Sequence, residues 1–287
     1  MLCKHKGTHM KDKFRRKFDR SNGDMEYLFR TIKPQNNDNK VRKWIMSAVI
    51  IVSIIIVFVT LKSMPSGDEV KMVTTQDTTT ATVEVVQDIQ IQCQNIYDAN
   101  KEFLALINVD NLLEEGYVFT HHTLNCGLDV DERIYPDLNQ MLTDLNAAGL
   151  HYKIISAYRD REVQAYVIQN NVNMNMAQGM SEEEAYRVTY ETVQPVGASE
   201  HETGLCLDIV SETEYMLVER VGEDPVNIWL MEHCHEYGFI LRYPLDKADI
   251  TGISYEPWHF RYVGKEAAQF MYDNNLTLEE FHMLLNE

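Results

Sequence analysis

The sequence predicts an α+β fold: a single folded domain preceded by one membrane-spanning helix. Three observations predict it. After residue 84, helical and strand periodicities mix without the regular βαβ rhythm of a doubly wound sheet. Residues 44–61 form a run without a single charge. The charge changes sign across that run, from 13 Lys and Arg against 5 Asp and Glu through Lys43 to 13 against 39 beyond it.

The elements follow in chain order. Residues 1–43 are polar and basic, a cytoplasmic tail with at most a short helix near Met25–Ile32. Residues 44–61 are apolar on every side, unlike a core helix, and about long enough to cross the hydrocarbon layer. The 43 residues ahead of them are too many for the charged lead of a cleaved signal peptide. The basic flank sets the N-terminus inside, which places the rest outside the cell membrane as a single-pass protein. Residues 62–83, with six Thr between Thr74 and Thr82, read as a flexible stalk. Residues 84–287 read as the extracellular domain.

Within that domain, Pro136–Ala148 carries apolar residues at 138, 141, 142 and 145, with Pro136 to open a helix and Gly149 to close it. His151–Ala157 reads as a strand, Arg161–Asn170 as a helix. Ser181 with Glu184 is a capping box for a helix reaching Thr192. Leu205–Val210 is a strand, and Val226–Tyr237 a helix stopped by Gly238. Phe239–Tyr243 and Trp258–Val263 read as strands, Lys265–Tyr272 as a helix, and Thr277 with Glu280 caps a last helix. The net −26 of residues 44–287 argues against a nucleic-acid partner, which would need clustered Lys and Arg. Cys93, Cys126, Cys206 and Cys234 fit either two disulfides or four free thiols; no CxxC pair suggests a thiolate zinc site.

The chemistry concentrates in two stretches. In Ser199-Glu-His-Glu-Thr-Gly-Leu-Cys-Leu-Asp208, His201 and Asp208 are an imidazole and a carboxylate suited to zinc, and Gly204 lets the chain turn between them. Strand parity puts Asp208 on one face with Cys206 and Val210, and Leu205, Leu207 and Ile209 on the other. In Tyr255-Glu-Pro-Trp-His-Phe-Arg-Tyr262, alternation puts Trp258, Phe260 and Tyr262 on one face and His259 and Arg261 on the other. His259 supplies a candidate third ligand and Glu256, in the bend at Pro257, a candidate base. Taken singly, these residues fit blander roles equally: a loop histidine, an edge carboxylate, a core histidine that only hydrogen-bonds. His121 and His122 fit a solvated loop better than a metal site.

Together the motifs resemble the VanY-type D-Ala-D-Ala carboxypeptidases of the LAS zinc metallopeptidase group. The resemblance rests on Ser-x-His-x-x-Gly-x-x-x-Asp from Ser199 and Glu-Pro-Trp-His-Phe-Arg-Tyr from Glu256. It adds Ser156-Ala-Tyr-Arg159 with Gln164, Phe239-Ile-Leu-Arg-Tyr-Pro244 and Ile250-Thr-Gly-Ile253. It spans about Leu104 to Tyr272. It implies zinc held by His201, Asp208 and His259, with Glu256 as general base. It also implies that Arg159 grips the substrate's terminal carboxylate beside Ser199, with Gln164 and Ser156 as supporting polar groups. Alone, Arg159 would fit a surface salt bridge. The implied substrate is a peptidoglycan stem peptide ending in D-Ala-D-Ala, whose trimming would remove the target of glycopeptide antibiotics. An L,D-carboxypeptidase, a D,D-dipeptidase of the same group, and an inactive zinc-bound wall-peptide sensor are the competing readings. Cys206 departs from the family, where Ala is usual.

Overall fold

The computed structural model describes residues 75–285, with side chains from residue 87. The chain divides into two compact units, residues 1–82 and 83–287, and everything that concerns the site lies in the second. The segment 44–61 and the tail lie outside the described residues. Among the described residues no helix is long and apolar enough to cross a membrane.

The first helix, α1 (Thr75–Asn100), contains no Gly or Pro. It begins inside the segment expected to be a flexible stalk, so residues 75–83 are helical instead. A Thr-rich composition lowers helix propensity by only tenths of a kcal/mol per residue and does not by itself break a helix. Further on, Cys93 of α1 packs with Leu104, Ile240, Val263 and the two C-terminal helices.

A short hairpin follows, β1 (His121–Thr123) with β2 (Asp129–Asp131). It replaces the solvated loop expected at His121 and His122. His122 stacks on Tyr135 with ring centroids 3.5 Å apart, and His121 stacks on Phe119 at 4.2 Å. Next come α2 (Tyr135–Ala147), β3 (Tyr152–Ser156), α3 (Arg161–Ala177) and α4 (Glu182–Thr189). Helix α3 runs seven residues past Asn170 because Val172 is buried in a small core shared with α4. The Ser181 hydroxyl accepts from the Glu184 backbone N–H, as the capping pattern predicts.

The remaining elements are β4 (Cys206–Ser211), α5 (Pro225–His233), β5 (Phe239–Leu241), the one-turn α6 (Ala248–Thr251), β6 (His259–Tyr262), α7 (Lys265–Asp273) and α8 (Leu278–Leu285). The Val226–Tyr237 helix changes to 3-10 geometry at Cys234, then stops at Gly238 with φ +85°. Thr277 and Glu280 form the reciprocal cap of α8.

Four strands form an antiparallel sheet in the order β3-β4-β6-β5. Leu205, Leu207 and Ile209 face the main core beside Leu138, Leu145 and Leu230, with Phe260 and Tyr262 from β6. Parity therefore sends Cys206, Asp208, His259 and Arg261 to the other face, as the sequence predicts. Trp258 does not join its expected partners: it packs with Val210 and Val221 in a separate cluster. Strand alternation begins only at His259, and Trp258 still belongs to the bend. The four cysteines of the domain are free.

Candidate active site

The sheet register assembles the site. Ser156 pairs with Asp208, and Asp208 pairs with His259, so the three stand in one row across β3, β4 and β6. A register irregularity between Ile154 and Ser156 brings Ser156 into that row. His201 reaches it from a 3-10 turn, Glu200–Thr203, which ends at Gly204 with φ +73°. A Cβ at Gly204 would sit 2.6 Å from the Phe119 ring and 3.0 Å from the Asp131 nitrogen. Only glycine fits the turn that sets His201 over the strand carrying Asp208.

The histidines are oriented from behind. His201 Nδ1 lies 2.6 Å from the Ala157 carbonyl, which fixes it as the donor nitrogen and leaves Nε2 facing Asp208 Oδ2 at 3.4 Å. The Arg159 N–H returns a bond to the His201 carbonyl at 3.0 Å. His259 Nδ1 lies 3.2 Å from Asp208 Oδ1 and 3.7 Å from Glu256 Oε2, while its Nε2 faces Glu200 Oε2 at 3.6 Å. All of these side chains are buried.

Asp208 Oδ1 has no hydrogen-bond partner among the described residues, although His259 Nδ1 is beside it. The two atoms are close but not aligned with one another. Ligand atoms about 2.0–2.2 Å from a tetrahedral zinc stand about 3.3–3.6 Å apart. The 3.4 and 3.2 Å separations of the two nitrogens from the carboxylate come close to that spacing. The donor set, two imidazoles and a carboxylate, also fits zinc. Cys206 belongs to the same cluster: its Sγ and the His201 and His259 nitrogens lie within 4.8 Å of one another. His121 and His122 are not part of it.

The electrostatics draw in positive charge. Burial opposes a charged imidazole at His201 and His259, but Asp208 and Cys206 outweigh it and raise both pKa values. Burial likewise opposes a charged Asp208, yet the two histidines hold its carboxyl well below the usual range. Glu256 moves the other way: burial pushes it up to about 8, against the favourable charge of His259. A carboxylate that takes and gives up a proton near neutral pH suits acid–base work.

Arg159 sits at the rim. Its Nε donates to Gln164 Oε1 at 2.9 Å and its Nη1 to Ser156 Oγ at 2.8 Å, with Asp208 Oδ2 at 3.9 Å. Gln164 is itself fixed by donating to the Gln194 carbonyl at 2.6 Å. Ser199 is buried and opens the turn that carries His201. The structure thus brings seven of the residues singled out in the sequence into mutual contact, and places Ser199 at the start of the turn that carries His201.

Several supporting residues escaped the sequence reading. Glu200 lies between Arg242 Nε at 2.8 Å and Arg261 Nη1 at 2.7 Å. Arg242 also makes two bonds to Glu279 of α8, at 2.8 and 2.6 Å. Asn227 donates to the Ile209 and Pro257 carbonyls at 2.8 and 2.9 Å, tying the bend after Glu256 to β4. The available signal was the pair Arg242 and Arg261, two cations inside otherwise apolar strand segments.

The profile of the VanY family, D-alanyl-D-alanine carboxypeptidase, matches residues 127–265. A D-alanyl-D-alanine carboxypeptidase of Enterococcus faecalis is 36% identical over 184 residues, covering 64% of this chain and 67% of that protein. A bifunctional D-Ala-D-Ala dipeptidase and carboxypeptidase of Enterococcus gallinarum is 34% identical over 185 residues, 62% of this chain and 93% of that protein. The chain belongs to the VanY family. Among solved structures, VanYB in complex with D-alanine-D-alanine aligns with TM-score 0.59 at 36% identity, over 63% of this chain and 98% of that one. A point mutant of the vancomycin resistance D,D-pentapeptidase VanY, in complex with Zn(II), aligns with TM-score 0.58 at the same identity and coverage. The chain is accordingly a zinc carboxypeptidase of the LAS group. The Bacillus subtilis putative carboxypeptidase YodJ is 39% identical over 145 residues, and the chain spans about half of its length.

Proposed function

We propose that the protein removes the terminal D-Ala from peptidoglycan stem peptides ending in D-Ala-D-Ala, with His201, Asp208 and His259 holding zinc and Glu256 as general base. The observation that carries this reading is the convergence of these four residues with Arg159 on one buried face of the sheet. Zinc bound there would polarise the scissile carbonyl and lower the pKa of its water to about 7. Glu256 would act as the carboxylate that accepts a proton from the attacking water and donates one to the departing amine of D-alanine. Arg159, locked by Gln164 and Ser156, offers its guanidinium to the substrate's terminal carboxylate, with Ser199 alongside. Glu200 faces the ring of His259 from its far side at 3.6 Å, the side on which carboxylates commonly stand behind metal-bound histidines. A base is of no use to a pure sensor, so Glu256 favours turnover over binding alone.

The location of this activity rests on the sequence: an uncharged run at 44–61 behind a basic tail favours a membrane-anchored enzyme working on the outer face. There, trimming stem peptides would remove the D-Ala-D-Ala ends that glycopeptide antibiotics bind. That setting also favours a carboxypeptidase acting on wall peptide over a dipeptidase acting on free D-Ala-D-Ala.

The test compares a peptide ending in D-Ala-D-Ala with its C-terminal amide. The amide leaves Arg159 without its anion and loosens the alignment of the scissile bond. It should be cleaved far more slowly than the free acid, and Arg159→Ala should lower kcat/KM for the acid while narrowing the preference. Equal rates on acid and amide with the native protein would mean an endopeptidase. Cleavage of free D-Ala-D-Ala in preference to the longer peptide, or cleavage only of peptides ending in L-residue–D-Ala, would identify one of the sister activities instead.

A further inference from the structure

We propose that Cys206 is a second kind of metal ligand in this centre, and that the His201–Cys206–His259 face takes up a thiophilic d10 cation, represented by Cd2+, which blocks the enzyme. The proposal rests on the reading of His201 and His259 as zinc ligands and adds a soft donor to that site.

Three observations support it. The ligand atoms of His201, Cys206 and His259 lie within 4.8 Å of one another, and all three residues are buried. Among the described residues no other cysteine belongs to such a group: Cys93 and Cys234 are buried elsewhere and Cys126 is exposed. Strand parity makes the placement structural, because Cys206 and Asp208 sit two residues apart on one face of β4, opposite Arg261 and His259 of β6. Finally, the buried Asp208 Oδ1 has no hydrogen-bond partner among the described residues, which leaves a carboxylate oxygen beside the two histidines open to a cation.

The two histidines therefore have two further donors of opposite character beside them. The Asp208 carboxylate is hard and, with two imidazoles, suits zinc; the Cys206 thiolate is soft and favours polarisable ions. On binding, the S–H bond is replaced by a sulfur–metal bond, the proton passes to solvent, and no electrons are transferred. With Asp208 also bound, the shell would be filled by protein, closing the position that catalysis needs open.

The experiment uses the full chain, stripped of metal and titrated with Cd2+, beside Cys206→Ala and Cys206→Ser. The readout is the ultraviolet charge-transfer absorption of a thiolate–cadmium bond. The native chain should show it saturating at one equivalent, and both variants should lack it and bind Cd2+ at least about tenfold more weakly relative to Zn2+. Serine matches cysteine in size and supplies the comparison if the alanine chain fails to fold. Zinc-supported turnover of the native chain is measured in parallel. No absorption in a native chain that cleaves peptide with zinc would overturn the role of Cys206 and leave the proposed function standing. Absorption that survives in either folded variant would assign it to another cysteine and likewise overturn the proposal. Absorption lost in the variants, from a native chain inert toward every peptide, would uphold Cys206 and count against the proposed function.

Discussion

Two groups of buried charge meet at His259, and they are completed in different ways. Behind the ring, Arg242 and Arg261 face Glu200 and Glu279, two positive charges against two negative ones. In front of it, Asp208 and Glu256 share the space with His201, His259 and the guanidinium of Arg159. The rear group cancels its charge within the chain and links the 3-10 turn, β6 and α8. Each group leaves a buried carboxylate oxygen without a hydrogen-bond partner among the described residues, Asp208 Oδ1 in front and Glu200 Oε2 behind, but only the front group keeps a carboxyl, Glu256, protonatable near neutral pH. Buried charges that cancel internally hold a structure together. Buried charges that do not cancel mark where the molecule acts on something else.

The comparison breaks most sharply if the two groups are disabled one at a time. His201→Ala, Asp208→Ala and His259→Ala should each lower bound zinc from one per chain to a small fraction and bring turnover to background, as metal analysis and D-alanine release would show. Glu256→Gln keeps the size of the side chain but cannot accept a proton. It should retain zinc and lose about 10²–10⁴ in kcat. A near-native rate in a zinc-loaded Glu256→Gln protein would assign the base to another group.

The rear group should respond in stability rather than in chemistry. Glu279→Ala leaves Arg242 with one anion in place of two, at a cost of about 3–5 kcal/mol if no other group compensates. Denaturant unfolding should record that loss while zinc content in the folded protein stays near one per chain. If Glu279→Ala emptied the metal site of a fully folded protein, the two groups would not be separable.

Acidity offers a finer test. Burial raises Glu256 above the usual carboxylate range, so its basic form is present above that raised value and is lost as pH falls through it. The acid limb of kcat/KM should therefore lie above the ordinary 4.5 of a glutamate, although below 8 once a bound cation stabilises the anion. Glu200 behaves oppositely. Burial alone would raise it, but Arg242 and Arg261 hold it far below that range. Its contribution to stability is thus present above the ordinary 4.5 and is lost only as pH falls toward its depressed value. An acid limb coinciding with acid unfolding would erase the distinction.

Much of the front group was legible in the sequence because its pieces are local. His201 and Asp208 lie seven residues apart around a glycine, and the parity of β4 and β6 sorts their side chains without knowledge of the fold. The rear group was not legible, since Arg242 finds Glu200 and Glu279 across 42 and 37 residues, and no local period records such a pairing. Trp258 was misassigned because a strand pattern was extended one residue into a bend. The hairpin at His121 was missed because its strands are three residues long, too short for alternation to register. Helix α3 was cut short where polar Asn residues masked the buried Val172.

The central claim is that the front group is completed by one zinc ion and then hydrolyses a D-Ala-D-Ala end. Its most direct test is a zinc titration of the metal-free full chain, with release of D-alanine from such a peptide as the readout. Turnover should rise in proportion to added zinc, level off at one ion per chain, and disappear on chelation. Full turnover in a rigorously metal-free protein would contradict the account.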